Sequence, residues 1–205
     1  MEYDKQIQSV HLQGLDWWKI SGDQAFESIL DGYSEYEKIW TQLVKEKEVV
    51  VQAGGYCGVF PRMLSYIFST VYTFEPDPLN FYCLTRNCQS DNIIKAQSAL
   101  SFCHGLVEVE RRLSNNRGMN IVRPTENAKI PTYTIDDLAL HRCDLIALDT
   151  EGFEYSILLG ATKTIDEYKP VITVEDPTEK IDVFLDNRGY KLRHIVHNRD
   201  AIYSV

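Results

Sequence analysis

The sequence predicts an α/β fold: a mostly parallel sheet with helices on both faces, joined near its end by an antiparallel hairpin strand. Three observations carry this. From Glu48 onward, short β-branched runs alternate with stretches of helical periodicity, the order of successive βα units. Glycines follow the first of these runs at once, as a tight strand-to-helix turn requires. Residues 190–205 read as two strands around a turn at His197-Asn198-Arg199-Asp200, which places an antiparallel strand beside the parallel ones.

The elements follow in order. Residues 1–47 differ from the rest and are expected to form a helical extension. Tyr36, Ile39, Trp40, Leu43 and Val44 share one helical face. Trp17 and Trp18, between Gly14 and Gly22, are expected to cover the edge of a core rather than to line a pocket. Val49-Val50-Val51 is a buried strand, and Phe60 to Phe68 carries helical periodicity. Thr70 to Phe74 is the second strand, ending at Glu75, and Pro76 and Pro78 open a helix through Asn87. A third strand starts near Asn92 and reaches about Gln97. Residues 105–122 alternate apolar and polar and predict an inserted hairpin, whose Arg111, Arg112 and Arg117 are expected to be solvated. Asp136-Asp137-Leu138 starts a short helix, Cys143 to Leu148 is the fourth strand, and Val171 to Val174, after Pro170, is the fifth.

Composition narrows the function. A chain of 205 residues with 44% hydrophobic and 25% charged residues is ordinary for one globular domain with a substantial core, here residues 48–205 with the extension before them. A net charge of −9 argues against general affinity for nucleic acid or anionic membrane. The first residues are polar, so no secretory signal is expected, and no apolar run is long enough to span a bilayer. Five cysteines without a CxxC pair suit free thiols in a reducing, cytoplasmic setting. They offer no zinc site.

Two places carry chemistry. The turn Gln52-Ala53-Gly54-Gly55-Tyr56-Cys57-Gly58 lets a ligand approach the backbone, with free N–H donors at the helix that follows. Its glycines fail the GxGxxG dinucleotide spacing in either register, which weighs against a nicotinamide oxidoreductase. Glu75, about 20 residues beyond, stands where an acid accepts hydrogen bonds from ribose hydroxyls. Turn and acid together predict a nucleoside-containing cofactor. The second place is Leu145 to Glu154, an apolar run that ends in Asp149, Glu151 and Glu154 around Gly152. Ligands of open α/β sheets bind outside such strand ends. Glu154, on the first helical turn, is expected to serve the helix N-terminus; for Glu151 that role and substrate contact are equally open.

These pieces together resemble the FkbM family of S-adenosylmethionine-dependent methyltransferases, within the class I methyltransferase fold, over roughly Val49 to Glu175. The residues that carry the resemblance are the Gly54–Gly58 turn, Phe74-Glu75-Pro76 with Asn80, Leu84 and Asn87, and Ser98-Ala99-Leu100. Thr134 to Leu138, Asp149 to Glu154 with Leu158, Gly160 and Ala161, and Pro170 and Glu175 complete it. The resemblance implies a Rossmann-like, seven-stranded sheet with its last strand antiparallel, and methyl transfer to a hydroxyl of a sugar or other small molecule. It implies S-adenosyl-L-methionine held by Gln52, Gly54, Gly55, Tyr56 and Gly58 at its methionine part. Glu75 and Pro76 would hold the ribose, Ser98 and Ala99 the adenine, and Asp149 would lie close by. The chain departs from the family at Gln52, where an acid is usual, and at Tyr56, where Asn is usual. Those departures motivate a second reading, a methyltransferase fold that serves as a non-catalytic binding module.

Methyl transfer from a sulfonium needs a positioned nucleophile and a group to take its proton. Asp149 is the first candidate, with Glu175 beside it in the expected strand order; Glu151 and His104 are candidates for substrate contact. A divalent cation held by acids of the two strand ends is the less favoured reading.

Overall fold

The computed structural model describes residues 2–111 and 116–205. After a 3-10 turn at Glu2–Lys5, strands β1 (Ile7–Leu12) and β2 (Leu15–Ile20) form an antiparallel hairpin. Its two-residue turn, Gln13 and Gly14, takes φ values of +50° and +76°, the left-handed pair that suits the strand twist. This hairpin corrects the expectation of a purely helical extension. Its inward residues Ile7, Trp17 and Ile20 are separated by polar or half-exposed positions, so the strand period is weak in the sequence. Trp17 is buried against Phe26, with ring centroids 5.6 Å apart, and Trp18 lies under the Arg86 guanidinium. Both tryptophans cover the core, as expected.

Helix α1 (Ala25–Leu43) presents Phe26, Leu30, Tyr33, Tyr36 and Trp40 to the protein at helical spacing. The Trp40 indole N–H donates to Thr173 Oγ1 at 2.8 Å, which fixes α1 across one face of the central sheet. The chain then alternates through β3 (Val49–Ala53), α2 (Val59–Leu64), β4 (Thr70–Phe74), α3 (Pro78–Asn87) and β5 (Ile93–Ala96). Asp77 accepts from the N–H groups of Leu79 and Asn80, and Pro78 takes the first helical position, so α3 starts where its sequence says it must. Four strands make a second, smaller sheet: β6 (Ala99–Leu100), β7 (Gly105–Glu110), β8 (Ile121–Arg123) and β9 (Ile130–Tyr133), in the order β6-β9-β7-β8. The expected inserted hairpin is β7 with β8.

The chain returns through β10 (Leu145–Leu148), α4 (Glu154–Leu159), α5 (Thr162–Tyr168), β11 (Val171–Val174) and α6 (Glu179–Asp186). It closes with β12 (Lys191–Val196) and β13 (Asp200–Ser204). The central sheet has the order β12-β13-β11-β10-β3-β4-β5, with β13 antiparallel to both its neighbours. The mixed α/β architecture with a parallel-rich centre is therefore the one expected. Every residue of β3, β10 and β11 is buried, because helices cover both faces. The strand order runs outward from β3 to β5 and then restarts at β10 on the other side of β3. A crevice opens at that reversal, outside the carboxyl ends of β3 and β10.

Candidate active site

The turn after β3 is shaped by contact with β10. A side chain on Gly54, whose φ is +82°, would put its first carbon 1.7 Å from the Asp149 carbonyl oxygen. Tyr56 also has positive φ, +46°, and turns its ring away from the turn to pack against Phe26. The bulk of this residue therefore does not crowd the turn. Gly55 packs on Leu84 and Thr73, and Gly58 on Cys88, so both shape the turn without lining a cavity. Gln52 is placed differently from the expectation. Its Oε1 accepts from Thr73 Oγ1 at 2.6 Å, and its Nε2 donates to the carbonyls of Ala53 (3.0 Å) and Gly54 (2.8 Å). Buried at 2% exposure, it braces the turn from within and lines neither cavity of the crevice.

Glu75 is buried beside the turn. It accepts from Tyr56 N (2.7 Å) and Asp77 N (2.8 Å), and more weakly from Asn80 Nδ2 (3.4 Å). Burial pushes its carboxyl up to about 8, against the pull of these donors. The cavity above it, ≈ 60 Å³, is lined by Gly54, Tyr56, Pro76, Ala99, Phe153 and Asp149 among others, and by Asn80, Arg117 and Asn120. Ser98 lies behind that wall, buried. Three of the lining residues also carry a polar atom, Asn80 Oδ1, Arg117 Nη1 and Asn120 Oδ1, that is buried without a hydrogen bond. Each such group costs about 1–3 kcal/mol, so donors and acceptors gathered on one cavity fit a polar ligand such as a nucleoside. The volume is less than a nucleoside needs. Arg117, Gly118 and Asn120 form part of its wall, tied down by Arg117 N to Asp23 (3.1 Å) and Asn120 Nδ2 to Asp77 (3.1 Å). Arg117 is thus not the solvated charge expected: its side chain is only 16% exposed. Arg111 is half exposed and 3.4 Å from Asp77, and Arg112 lies outside the described residues.

Acids meet at the other side of the crevice. Strands β10 and β11 pair Leu148 with Val174, so the next residues, Asp149 and Glu175, fall side by side. Oxygens of Asp149, Glu151 and Glu175 lie within 4.8 Å of one another. Glu175 is ion-paired with Arg199 at 2.6 Å, and Arg199 also grips Asp200 through Nε (2.6 Å) and Nη2 (3.2 Å). The Tyr36 hydroxyl donates to Asp200 in turn. The Arg199 guanidinium thus sets a positive charge beside this acid group. Burial, and then the nearby Glu175 charge, hold the Asp149 carboxyl well above the usual carboxylate range, while Arg199 pulls it down.

These groups open on a groove of ≈ 1050 Å³, lined by Tyr36, Phe60, Tyr155, Glu175, Asp176, His197 and Arg199 among others. Ile29, Gly118, Asp149 and Glu151 line both the groove and the smaller cavity. Glu154 Oε1 accepts from Thr150 N (2.8 Å), Thr150 Oγ1 (2.8 Å) and Gly152 N (3.2 Å), so it closes the turn before α4, as expected. His104 is not part of the site. It pairs with Asp137 at 2.8 Å and packs on Tyr133, carried off by the smaller sheet, and it lines neither cavity. Sequence reasoning missed Arg117, Asn120, Tyr36, Arg199 and Asp200. The last two had a signal: β13 runs antiparallel to β11, with Ala201 opposite Val174, so the hairpin turn must arrive beside Glu175.

No curated protein matches the chain. Among solved structures it is similar to a methyltransferase FkbM from Methylobacillus flagellatus KT, with TM-score 0.56 and 20% identity over 78% of this chain and 44% of that one. It is also similar to wild-type Trm5b from Pyrococcus abyssi, with TM-score 0.52 and 12% identity over 97% of this chain and 54% of that one. A ribosomal protein L11 methylase from Lactobacillus delbrueckii subsp. bulgaricus matches at TM-score 0.50 and 6% identity, over 85% and 78% of the two chains. At such identities the likeness is one of fold, and the chain spans about half the length of the first two. The family profile described as the methyltransferase FkbM domain matches residues 63–192, more than half of the sequence. By that match the chain belongs to the FkbM methyltransferase family.

Proposed function

We propose that the protein is an S-adenosylmethionine-dependent methyltransferase that acts on a hydroxyl of a carbohydrate or another hydroxylated small molecule. The observation that carries this reading is the position of Asp149, which lines both the polar cavity above Glu75 and the wide groove. A group at that junction can reach an acceptor in the groove at the point where it meets a cofactor in the cavity. When bound, S-adenosylmethionine supplies an activated methyl group on a sulfonium. Glu75 would hold the ribose hydroxyls, Ala99 and Pro76 would flank the adenosine, and the backbone of Gly54 and Tyr56 would face the methionine part. Asn80 and Asn120, beside that cavity, each have a buried carbonyl oxygen without a hydrogen bond that such a ligand would satisfy.

Asp149 takes the proton of the acceptor hydroxyl in this reading, and burial raises its affinity for that proton. Glu175 stands beside it as the partner carboxylate, and Glu151 faces the acceptor from the same loop. Tyr36, Phe60 and Tyr155 give the groove aromatic surface on which a sugar ring can lie. A net charge of −9 supports a small acceptor over a nucleic acid, and five free cysteines fit a cytoplasmic setting. Among the described residues no helix is long and apolar enough to cross a membrane.

One observation favours the alternative of a non-catalytic module. Gln52 spends its side chain on Thr73, Ala53 and Gly54 and presents nothing to a cofactor. Transfer of a tritiated methyl group to a panel of sugars and phenols decides between the two. The enzyme reading expects label in at least one acceptor, and a loss of about 100-fold or more in Asp149→Asn. Cofactor binding without transfer to any hydroxylated acceptor would favour the module.

A further inference from the structure

The acid pair is embedded in a chain of contacts that crosses three elements and that general proton abstraction does not require. Glu175 follows β11, Arg199 and Asp200 come from the β12–β13 turn, and Tyr36 comes from α1. The geometry points to Arg199 as a positioning residue for methyl transfer: held by Asp200 and Tyr36, its guanidinium fixes the Glu175 carboxylate beside Asp149 and sets how readily that pair takes the acceptor proton. This inference rests on the reading of the site given above.

The distances support it. Arg199 divides its fork between two carboxylates, Nη1 to Glu175 at 2.6 Å and Nε and Nη2 to Asp200 at 2.6 and 3.2 Å. A lysine has one donor centre and cannot hold both in that geometry. Asp200 is buried at 4% exposure and receives the Tyr36 hydroxyl as well, so the far end of the fork is rigid. Other charges also face the pair. Asp176 and His197 line the same groove, and His197 is paired with Glu35 of α1 at 3.1 Å. Glu151 and Glu154 come from the loop of Asp149 itself, with Glu154 engaged by the turn. Among the described residues that line the groove, Arg199 is the one arginine or lysine. Without it the ionised pair would lose its nearest positive charge and hold its proton to higher pH.

In the transfer step the acceptor O–H bond breaks and its proton passes to an Asp149 oxygen. The oxygen electron pair forms the new C–O bond, and the C–S bonding pair stays on the departing sulfur as a neutral thioether. Arg199 touches none of these atoms.

The test is a carboxyl ¹³C NMR titration of Asp- and Glu-labelled protein, run beside pH profiles of kcat, for the wild type, Arg199→Gln and Arg199→Lys. In Arg199→Gln the apparent midpoints of the pair should rise by about one pH unit or more, and the rising limb of kcat should move with them. KM for S-adenosylmethionine should stay within about two-fold, and Arg199→Lys should recover part of the shift. Unmoved midpoints, or a kcat lowered equally at every pH, would overturn the inference. If the wild type transfers no methyl group, the functional reading fails, and the NMR midpoints still decide the role of Arg199. If Arg199→Gln does not fold, Glu175→Gln replaces it. Loss of the like charge should then lower the Asp149 midpoint by about one unit or more, and an unmoved midpoint would overturn the pairing.

Discussion

Gly54 leaves no room for a side chain, because the turn after β3 rests on the backbone of Asp149. A methyl group there meets a carbonyl oxygen at 1.7 Å and an unfavourable φ of +82°, and neither neighbour is a flexible side chain. Gly54→Ala should therefore cost about 2–4 kcal/mol in urea unfolding, combining overpacking with left-handed strain. A cost under about 0.5 kcal/mol would mean that the two strand ends are not in contact. Glu75 gives a pH signature. Its carboxyl moves from an ordinary 4.5 up to about 8 in the folded protein. The folded state thus holds this proton where the unfolded chain releases it. Its contribution is fully present below about pH 4.5 and is lost as the pH rises through about 8. Wild-type stability should fall across that window more steeply than that of Glu75→Gln, as urea midpoints measured at pH 5, 6, 7 and 8 would show. Parallel curves would contradict the burial argument. The place of Glu75 on the crevice was legible because an acid after the second strand has a defined position in βαβ order. Gln52 was misread because spacing places a residue at a strand end and cannot say that Thr73 will hold it there.

At the scale of elements, period and apolar runs carried most of the reading. Strands β3, β10 and β11 were legible because their buried positions are continuous and mostly β-branched or aliphatic, and β4 because its residues are β-branched or aromatic. The first hairpin was not. It has one covered face, its turn is Gln-Gly, and its inward residues share a core with Phe26 and with Leu79, which lies far along the sequence. Helix α1 is fixed by Trp40, which is 1% exposed and bonded to Thr173. Trp40→Ala should cost about 3–5 kcal/mol in thermal or urea unfolding, and a cost below about 1 kcal/mol would show α1 to be only loosely docked. Arg117, Gly118 and Asn120 wall the cavity beside Glu75, so a cofactor held there would touch this segment. Amide hydrogen exchange in residues 116–122 should change by about ten-fold or more when S-adenosylmethionine is added. Unchanged exchange there, with binding established, would put the cofactor elsewhere.

For the molecule as a whole, the order of strands does what no single motif does. The reversal between β3 and β10 brings the glycine turn, Glu75 and Asp149 to one crevice, although they are spread from residue 54 to residue 149. The antiparallel β13 then delivers Arg199 and Asp200 to the same place. The first group was readable from motifs that sit at strand ends. The second depended on register between distant segments, and the alternation that places β7 and β8 says nothing of the contacts of Arg117 and Asn120 with Asp23 and Asp77. The central claim is that this crevice holds S-adenosylmethionine on Glu75. Calorimetric titration of the wild type and Glu75→Ala with S-adenosylmethionine and its demethylated product tests it most directly, with thermal melts to confirm that both are folded. The account predicts saturable binding to the wild type and affinity weakened by about ten-fold or more in the folded variant. No heat of binding to the wild type at about millimolar ligand, or equal affinity in the two proteins, would contradict it.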